Sequence, residues 1–443
     1  MQISAAESAV LQRSGDTTIA SSAYHATGHP FSKSRIVAAG RTRVCAHPSS
    51  VSMRKIRVVF SIGAMHGGGS ERQIVTILRH LDRDRFDPHL YLIYRAGPLL
   101  SEVPCDVPIS TFEERVRTTR YSLPGQTHRR RVQDLACFMR ETEADVSYDR
   151  TFLMTLIAAD AAQRTGIPNV STIVTNPETG FAPVAGRFAS FKRRILKRLY
   201  RRSAGVVAVS QGVADAAARF YSVPRDKITV LANGVDVAAI EETARSASVS
   251  DEWWNHHRNE GLMLVTAGRL DERKGFQLLI DAVSRLRQRE SLRNIRLAIL
   301  GDGPYRAELQ HRIDSLSLQD HVRLMGFRAD AAAWYRAADV FVLPSLVEGM
   351  PNVLLEAMAV GTPVVAADCP SGPAEVLQNG RLGELVAVND VQALVEGISR
   401  VAMNPEDAAN KTALALESVR TEQSAVASVR KLEELLSDRV RLC

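Results

Sequence analysis

Cysteine and long hydrophobic runs are both scarce in this chain. Five cysteines occur among 443 residues, an odd number without a CxxC pair, so the sequence predicts neither a disulfide framework nor a zinc site. A reducing, cytoplasmic compartment is therefore expected. Charged residues and prolines interrupt the most hydrophobic stretch at Glu348, Pro351, Glu356 and Pro363. Because no run approaches the roughly 18 apolar residues of a membrane-spanning helix, we expect no transmembrane segment.

The excess of positive over negative charge is small. The chain carries 56 Lys and Arg against 49 Asp and Glu, a net charge of +7. Eight of these cations lie between residues 187 and 202, where no acidic residue occurs. Outside this cluster and the weakly basic first 53 residues the chain is slightly acidic, which argues against a globally basic nucleic-acid-binding protein. We therefore expect no nucleic-acid partner.

The first 53 residues differ in composition from the rest. They are rich in Ser, Ala and Thr and show no sustained hydrophobic periodicity, which predicts a disordered N-terminal extension at 1–53. The composition changes sharply at Met53, since Arg54 and Lys55 lead directly into the apolar run 56–62. Met53 is therefore also a candidate start codon.

From residue 54 onward, short apolar runs alternate with longer amphipathic segments, the pattern of parallel strands joined by crossover helices. The runs predicted as strands are 56–62, 89–94, 145–148, 170–174, 205–209, 228–231, 262–267, 295–300, 321–325, 339–343, 363–367 and 384–388. The predicted fold class is α/β, with two Rossmann-like, doubly wound parallel-sheet halves.

Turn signals divide the predicted fold. Asn233-Gly234 is a turn signal after the last strand of the first half, and Gly261 opens the second half. The predicted segments are a first domain at 54–236, a linker at 237–260, a second domain at 261–424 and a C-terminal helix within 425–443. No strand follows that last helix, which makes it a candidate for packing back across the cleft between the halves.

The first strand leads into a glycine-rich loop, Gly67-Gly68-Gly69, directly before a helix. Glycines let a backbone approach a ligand closely, and the free N–H groups of a helix start attract an anion. Neither sharper phosphate motif fits, because a Walker loop needs Lys at position 69 and a dinucleotide G-x-G-x-x-G motif needs Gly in place of Arg72. The alternative is a tight strand-to-helix turn without a ligand.

The second half offers two cations and two carboxylates where open α/β sheets bind ligands. Arg269 ends a predicted strand and Lys274 begins the next helix, which suits a diphosphate; a solvated charge cluster is the alternative. Glu348 and Glu356 stand eight residues apart around a helix start. Since carboxylates accept hydrogen bonds from hydroxyls, this pair favours ribose and hexose over phosphate; support of the helix dipole is the alternative.

Five motifs occur in order along the chain. They are Gly67-Gly68-Gly69 before a helix, Asn233-Gly234-Val235-Asp236, Gly268-Arg269-Leu270 with Lys274-Gly275, Gly301-Asp302-Gly303-Pro304, and the E-x7-E pair Glu348 and Glu356. Together they resemble the retaining glycosyltransferases of family four over about 54–400. The resemblance implies the GT-B fold, in which two Rossmann-like domains face each other across a cleft, and a reaction that needs neither a metal nor a cofactor.

The resemblance also implies roles for individual residues. Arg269 and Lys274 would neutralise the donor's diphosphate, Glu348 would contact the donor sugar and Glu356 would hold the ribose hydroxyls. The expected catalytic set is Glu348, Arg269 and Lys274. The other expected donor-binding residues are Gly349, Met350, Pro351, Asn352, Gly301, Gly326, Phe327 and Arg328. The glycine loop 67–69 and Asn233 would lie between donor and acceptor.

One position departs from the family pattern. Many members carry a histidine near the reacting sugar, just after the strand that corresponds to 170–174. Here the sequence reads Thr175-Asn176-Pro177-Glu178. Either Asn176 or Glu178 replaces the histidine as a polar contact, or this branch has no such contact.

The basic segment 186–203 combines apolar and cationic side chains. Phe188, Phe191, Ile195 and Leu199 recur at helical spacing, and Lys and Arg fill most of the remainder. This pattern is typical of a helix that lies on an anionic membrane or meets a lipid-diphosphate acceptor. The alternative is a core-facing helix with a solvated basic face.

The predicted function is transfer of a hexose or N-acetylhexosamine from a nucleoside diphosphate sugar to a glycan or lipid-linked acceptor, with retention at the anomeric carbon. A UDP-sugar is favoured as donor and GDP-mannose is the alternative. The stretch 369–375 resembles bacterial surface-polysaccharide members, which indicates a role in polysaccharide, lipopolysaccharide or glycolipid synthesis at the cytoplasmic face of the membrane. The rivals are a non-catalytic sugar-nucleotide- or glycan-binding protein on the same fold, and a Rossmann oxidoreductase or epimerase.

Overall fold

The computed structural model describes residues 54–116 and 125–442, so the predicted extension 1–53 lies outside the described residues. All the predicted strands are present there, with ends shifted by at most three residues. The first-half strands are β1 Ile56–Ile62, β2 Phe86–Leu92, β3 Ile109–Thr111, β4 Val146–Arg150, β5 Asn169–Ile173, β6 Gly205–Ala208 and β7 Ile228–Val230. The second-half strands are β8 Met263–Ala267, β9 Arg296–Leu300, β10 Val322–Gly326, β11 Val340–Leu343, β12 Val364–Ala367 and β13 Glu384–Val386.

Helices connect these strands. In the first half they are α1 Gly69–His80, α2 Phe112–Arg115, α3 Gln126–Glu141, α4 Phe152–Thr165, α5 Pro177–Ala185, α6 Ala189–Arg202 and α7 Gln211–Tyr221. They continue with α8 Val237–Ser246, α9 Glu252–His257, α10 Phe276–Leu286, α11 Arg306–Ser315, α12 Ala331–Ala337, α13 Asn352–Ala359, α14 Pro373–Val376, α15 Val391–Met403, α16 Pro405–Thr421 and α17 Ala425–Arg441. Short 3-10 turns lie at Pro98–Glu102, Gly186–Phe188, Arg225–Lys227, Glu272–Lys274 and Glu290–Leu292.

The strands form two parallel sheets. The first has seven strands in the order β3-β2-β1-β4-β5-β6-β7, and the second has six in the order β10-β9-β8-β11-β12-β13. In each sheet the strand order reverses beside the first strand, at β1 and at β8. Ligands of doubly wound folds bind at the carboxyl ends of strands where this reversal occurs. The glycine loop follows β1 and the Arg269–Lys274 segment follows β8, so the fold confirms the predicted class of two Rossmann-like sheets and puts both motifs at reversal points.

The segment 237–260, predicted as a linker, is largely helical. It contains α8 and α9, and Trp254 of α9 is fully buried with its ring centroid 5.2 Å from that of Trp334. Two adjacent tryptophans remove a large apolar surface from water, which explains why this segment packs on the second half. The domain boundaries assigned from the sequence stay predictions.

The last helix, α17, returns to the first half. Val429, Leu432 and Leu436 are buried in the same core cluster as Phe60 of β1 and Ile74 of α1. Just before the helix, Val235 and Ser424 form a β-bridge, with Val235 N–H donating to the Gln423 carbonyl at 3.0 Å. The chain thus leaves the second half after α16 and completes the core of the first.

Among residues 54–116 and 125–442, no helix combines the length and the apolar character that a membrane span requires.

Candidate active site

Loops at the carboxyl ends of the two sheets touch each other. Gly349 follows β11 and Val174 follows β5. A Cβ on Gly349 would lie 2.0 Å from the Val174 carbonyl oxygen, so any side chain at this position would force the two loops apart. Met350, the next residue, packs against core clusters of both halves. The predicted donor loop 349–352 is therefore a point where the two sheets meet.

Glu348 and Lys274 form an ion pair at this junction. Glu348 precedes α13, and Lys274 lies in the turn after β8. Lys274 Nζ is 2.6 Å from Glu348 Oε1, and Ser345 Oγ donates to the same oxygen at 2.7 Å. The Glu348 side chain is 8% exposed and the Lys274 side chain 27%. Within the described part of the chain Glu348 Oε2 accepts no hydrogen bond, so it is available to a sugar hydroxyl.

The cations after β8 differ in their partners. Arg273 donates to Asp271 through Nε at 2.8 Å and through NH2 at 3.0 Å, and these bonds lower the pKa of Asp271 to about 2. Arg269 is exposed and has no ion-pair or hydrogen-bond partner among residues 54–116 and 125–442. Arg273 is thus paired with Asp271 and Lys274 with Glu348, and the contact of Arg269 and Lys274 with a diphosphate stays a prediction.

Glu356 lies on α13, eight residues after Glu348. The Tyr335 hydroxyl donates to Glu356 Oε2 at 3.4 Å. Burial raises the pKa of the Glu356 carboxyl, although the positive charge of Arg72 and the Tyr335 hydrogen bond act in the opposite direction. Arg72 belongs to α1 of the first half. The carboxylate of Glu356, which the sequence predicts to bind the ribose, therefore lies under the electrostatic influence of Arg72 on the opposite side of the junction.

Three other predicted residues come together across the halves. Asn233 Nδ2 donates to Asn352 Oδ1 at 2.9 Å, and Asn352 Nδ2 donates to the Gly69 carbonyl at 3.2 Å. Asn352 is the first residue of α13, and Gly69 is the first residue of α1. The glycine loop and the donor loop are therefore hydrogen-bonded to each other.

The remaining residues predicted to bind the donor, Gly301 and Gly326 to Arg328, lie at the ends of β9 and β10. Gly301 has φ +131°, and a Cβ there would lie 1.9 Å from the Gly268 carbonyl oxygen, so Gly301 permits close packing behind Arg269. The Gly301 N–H donates to the Gly326 carbonyl at 2.7 Å. Phe327 is 59% exposed, and the Arg328 guanidinium carbon lies 5.2 Å from the centroid of the Trp334 ring. An exposed phenyl ring is suited to stacking on a base.

Asn176 and Glu178, the predicted replacements for the family's histidine, have protein partners. Asn176 Oδ1 accepts from the Glu178 N–H at 3.0 Å and caps the start of α5. The Glu178 carboxylate is bound by Arg219 with distances of 3.0 and 2.9 Å. Their contact with the reacting sugar stays a prediction.

Sequence reasoning missed several residues that the fold adds. Arg150 donates to Asn233, and the Glu375 carboxylate accepts from the backbone N–H groups of Gln211 and Gly212 at 2.6 and 2.9 Å. Ser345 belongs to the same group, because it holds Glu348. Arg150 ends a parallel strand, a signal that could have identified it, whereas nothing in the sequence indicates the partner of Glu375.

A different cluster has the composition of a metal site. His256, His257 and Glu260 bring potential ligand atoms within 4.8 Å of one another on and after α9. Arg296 NH2, however, lies 3.3 Å from His257 Nδ1, which is also 2.7 Å from Glu260 Oε2. A guanidinium beside the ligand atom disfavours a cation there.

A surface hollow of about 520 Å³ between α10 and α11, lined by Gln277, Tyr305 and His311 among others, shares no residue with the junction of the two sheets.

Family models match both halves of the chain. One described as glycosyl transferases group 1 covers residues 261–404, and one described as Glycosyltransferase Family 4 covers residues 67–239. A D-inositol 3-phosphate glycosyltransferase of Paenarthrobacter aurescens is 30% identical over 61% of this chain and 68% of that protein. The chain belongs to glycosyltransferase family 4. Membership removes the support for an oxidoreductase or epimerase.

Other similarities of this family member are lower in identity or cover less of the relative. A Campylobacter jejuni enzyme named N-acetylgalactosamine-N,N'-diacetylbacillosaminyl-diphospho-undecaprenol 4-alpha-N-acetylgalactosaminyltransferase is 25% identical over 78% of this chain and 89% of that protein. The chain spans about half the length, 51–52%, of relatives named as colanic acid or amylovoran biosynthesis glycosyltransferases.

Among solved structures, Anabaena HepE in complex with UDP matches with a TM-score of 0.71 and 22% identity, covering 86% of this chain and 100% of that one. Similarity at this level of identity concerns the fold. It agrees with the GT-B arrangement expected from the sequence.

Proposed function

We propose that this glycosyltransferase moves a hexose or N-acetylhexosamine from a nucleoside diphosphate sugar to a glycan or lipid-linked acceptor. A UDP-sugar is the favoured donor and GDP-mannose is the alternative. The observation that carries the proposal is the buried Glu348 carboxylate, which is paired through Oε1 with Lys274 at the junction of the two sheets and whose Oε2 accepts no hydrogen bond from the described residues. The pair offers a carboxylate oxygen that accepts a hydrogen bond from a sugar hydroxyl and a cation that binds phosphate. A sugar diphosphate requires both contacts. UDP is favoured because HepE, which shares the fold, was solved with UDP.

The proposed chemistry retains the anomeric configuration and needs no metal. Lys274 and Arg269, which has no partner among the described residues, stabilise the negative charge that grows on the leaving diphosphate as its bond to the sugar breaks. The ammonium of Lys274 has three protons, so it can contact a phosphate oxygen without releasing Glu348. Glu348 Oε2 binds a donor-sugar hydroxyl, Glu356 binds the ribose, and the leaving phosphate assists deprotonation of the acceptor hydroxyl.

The acceptor side of the proposal includes a membrane surface. In α6, Leu199 is buried and Ile195 is packed against the core, whereas Phe191 is 65% exposed, as is Phe188 at 56% just before the helix. Exposed cations of the same helix are Arg193, Arg194, Arg198, Arg201 and Arg202. The C-terminal half of the helix thus follows the core-facing alternative, the aromatic side chains are exposed at its N-terminal end, and exposed cations occur in both halves. Such a surface suits anionic lipid near a lipid-linked acceptor.

A thermal-shift panel with UDP, GDP, ADP and NAD at about 1 mM tests the proposed donor site. A ligand at 100 times its dissociation constant adds roughly 2.7 kcal/mol to the stability of the folded state, so UDP should raise the unfolding temperature and NAD should not. Stabilisation by GDP alone would change the donor to GDP-mannose. Stabilisation by UDP without transfer to any of a broad acceptor panel would favour a non-catalytic sugar-nucleotide-binding protein, and no response to UDP or GDP would contradict the donor site.

A further inference from the structure

Arg150 is a buried cation that belongs to none of the sequence motifs. It ends β4 at the carboxyl edge of the first sheet and is 4% exposed. No carboxylate lies within ion-pair distance of it in the described part of the chain. Its guanidinium donates to the Tyr148 hydroxyl at 3.0 Å and to Asn233 Oδ1 at 2.8 Å. Because a buried charge needs compensation, these dipoles must stay oriented toward Arg150.

The charge of Arg150 sets the direction of a chain of hydrogen bonds. A guanidinium can only donate, so Asn233 must turn its oxygen to Arg150 and its nitrogen to Asn352 Oδ1, 2.9 Å away. Asn352 then has only its nitrogen to offer the Gly69 carbonyl, at 3.2 Å. We name Arg150, Asn233, Asn352 and the Gly69 carbonyl the amide relay.

The amide relay crosses between the halves at the donor loop. Arg150, Asn233 and Gly69 belong to the first half, while Asn352 begins α13 directly after the loop that starts at Glu348. The loops are packed closely here, since a Cβ on Gly69 would lie 3.1 Å from Asn352 Nδ2. The hydrogen-bond direction that Arg150 imposes therefore extends to the start of α13 and to the glycine loop.

We propose that Arg150 is a positioning residue for the donor. Acting through Asn233, it holds Asn352 and the glycine loop 67–69 in the arrangement that binds the diphosphate of the sugar nucleotide, and it does not touch the donor itself. This inference rests on the proposed function for its effect on UDP binding. The relay also predicts that the two loops are held against each other without a ligand, which hydrogen–deuterium exchange measures.

The variant Asn233→Asp separates the relay from stability. The new carboxylate still accepts from Arg150 and neutralises its charge, so the folded protein should keep an unfolding temperature close to that of the wild type. It cannot donate to Asn352, which must turn its nitrogen toward position 233 and its oxygen toward the Gly69 carbonyl. Two oxygens then face each other, and the glycine loop loses its contact.

The matched control is Tyr148→Phe. It removes the other hydrogen bond that Arg150 donates and leaves the relay complete, so it should lower stability without changing UDP affinity. The conservative variant Arg150→Lys keeps a donor and a charge and should retain more UDP affinity than Arg150→Met.

Two measurements test the relay. Titration calorimetry with UDP should give about tenfold weaker binding for Asn233→Asp and Arg150→Met and wild-type binding for Tyr148→Phe. Without ligand, hydrogen–deuterium exchange should rise in peptides covering 67–75 and 349–356 for Asn233→Asp and stay unchanged for Tyr148→Phe.

The outcomes separate the relay from the donor assignment. A wild-type protein that binds neither UDP nor GDP overturns the proposed function, while the exchange measurement still decides on the relay. Wild-type exchange in both peptides of Asn233→Asp overturns the relay even if UDP binds. If Tyr148→Phe weakens UDP binding as much as Asn233→Asp does, Arg150 is a general stabiliser of the fold and the positioning role is wrong.

Discussion

Asp149 is a buried carboxylate that the proposed chemistry does not use. It lies beside Arg150 at the end of β4 with no exposed surface, and it accepts hydrogen bonds from Thr155, Asn169 at 2.9 Å and Ser171 at 2.8 Å. Burial raises the pKa of Asp149 to about 6, although these three hydrogen bonds act in the opposite direction. The protonated form is therefore favoured in the folded state more than in the unfolded chain.

This shift predicts a specific dependence of stability on pH. A carboxyl whose pKa is raised on folding contributes stability below its unfolded pKa of about 4 and loses that contribution as pH rises through about 6. The Asp149 contribution to the free energy of unfolding should fall by roughly 3 kcal/mol across this window. Since about a third of the loss has already occurred at pH 4.5, urea unfolding at pH 4.5 and pH 7 should show about 2 kcal/mol of it in the wild type and none in Asp149→Asn. Parallel pH dependence in the two proteins would rule out the effect.

Arg269 and Arg273 offer a matched test of the donor cations. Arg269 has no partner among the described residues, whereas Arg273 is bound to Asp271. Removal of a charge-assisted contact to phosphate costs about 1.5–3 kcal/mol, so Arg269→Met should weaken UDP binding by about tenfold or more in calorimetry.

The control for this prediction removes the neighbouring ion pair without changing the net charge. Asp271→Asn combined with Arg273→Met should bind UDP within about threefold of the wild type. Equal losses in the control and in Arg269→Met would mean that general electrostatics, not a contact from Arg269, determines affinity.

At the scale of elements, α6 carries the proposed membrane contact. Replacing Phe188 and Phe191 with Ser removes two exposed aromatic side chains and leaves the basic residues. Co-sedimentation with vesicles containing phosphatidylglycerol should fall by about tenfold, since both apolar burial and charge contribute to such binding. The matched variant Met403→Ser with Leu414→Ser removes exposed apolar groups elsewhere and should sediment as the wild type does. Equal wild-type binding to neutral and anionic vesicles would refute the role of the basic residues.

The strands could be predicted from the sequence because buried parallel strands are continuous apolar runs. β3 was missed because Ile109 is its one apolar residue, followed by Ser110 and Thr111, so no apolar run marks the strand. The segment 237–260 gave no usable periodicity, and its helices are fixed by tertiary burial of Trp254. Local pattern determines a strand, whereas a short or irregular element depends on what packs against it.

The candidate site was predictable to a similar extent. Lys274 and Glu348 lie at strand and helix ends, where position alone indicates function, and the structure joins them. The bond between Asn233 and Asn352 links residues 119 positions apart, and no periodicity encodes such a pairing. The same holds for Arg150, whose unusual feature is the lack of a carboxylate partner among the described residues, a property that only folding creates.

At the scale of the whole molecule, several contacts tie the halves together. Glu375 of α14 caps the start of α7 in the first half, Gly349 packs on Val174, and α17 inserts its apolar face into the first core. Two domains unfold in a single step when the free energy lost with their interface is large enough that the state with one domain unfolded is not populated. These three contacts favour a single transition.

The placement of tryptophan makes this prediction testable. Trp253, Trp254 and Trp334 are the three tryptophans of the chain and belong to the second half, so fluorescence reports that half alone, while far-UV circular dichroism reports both. Leu436→Ala opens a cavity in the first core, which costs about 2–5 kcal/mol, and Leu436 belongs to a core cluster different from that of the three tryptophans. If the halves unfold together, the fluorescence midpoint in urea should fall together with the dichroism midpoint.

The control is Val426→Ala, which lies on the same helix with its side chain 63% exposed and should leave both midpoints unchanged. A fluorescence midpoint that stays at the wild-type value in Leu436→Ala, while dichroism shows an earlier step, would mean that the halves unfold independently. In that case α17 stabilises only the first half, and closure of the junction around Asn352 would have to come from the bound donor. A joint shift would mean that the junction is part of the folded state before any ligand arrives, which is what a relay that begins at a buried arginine requires.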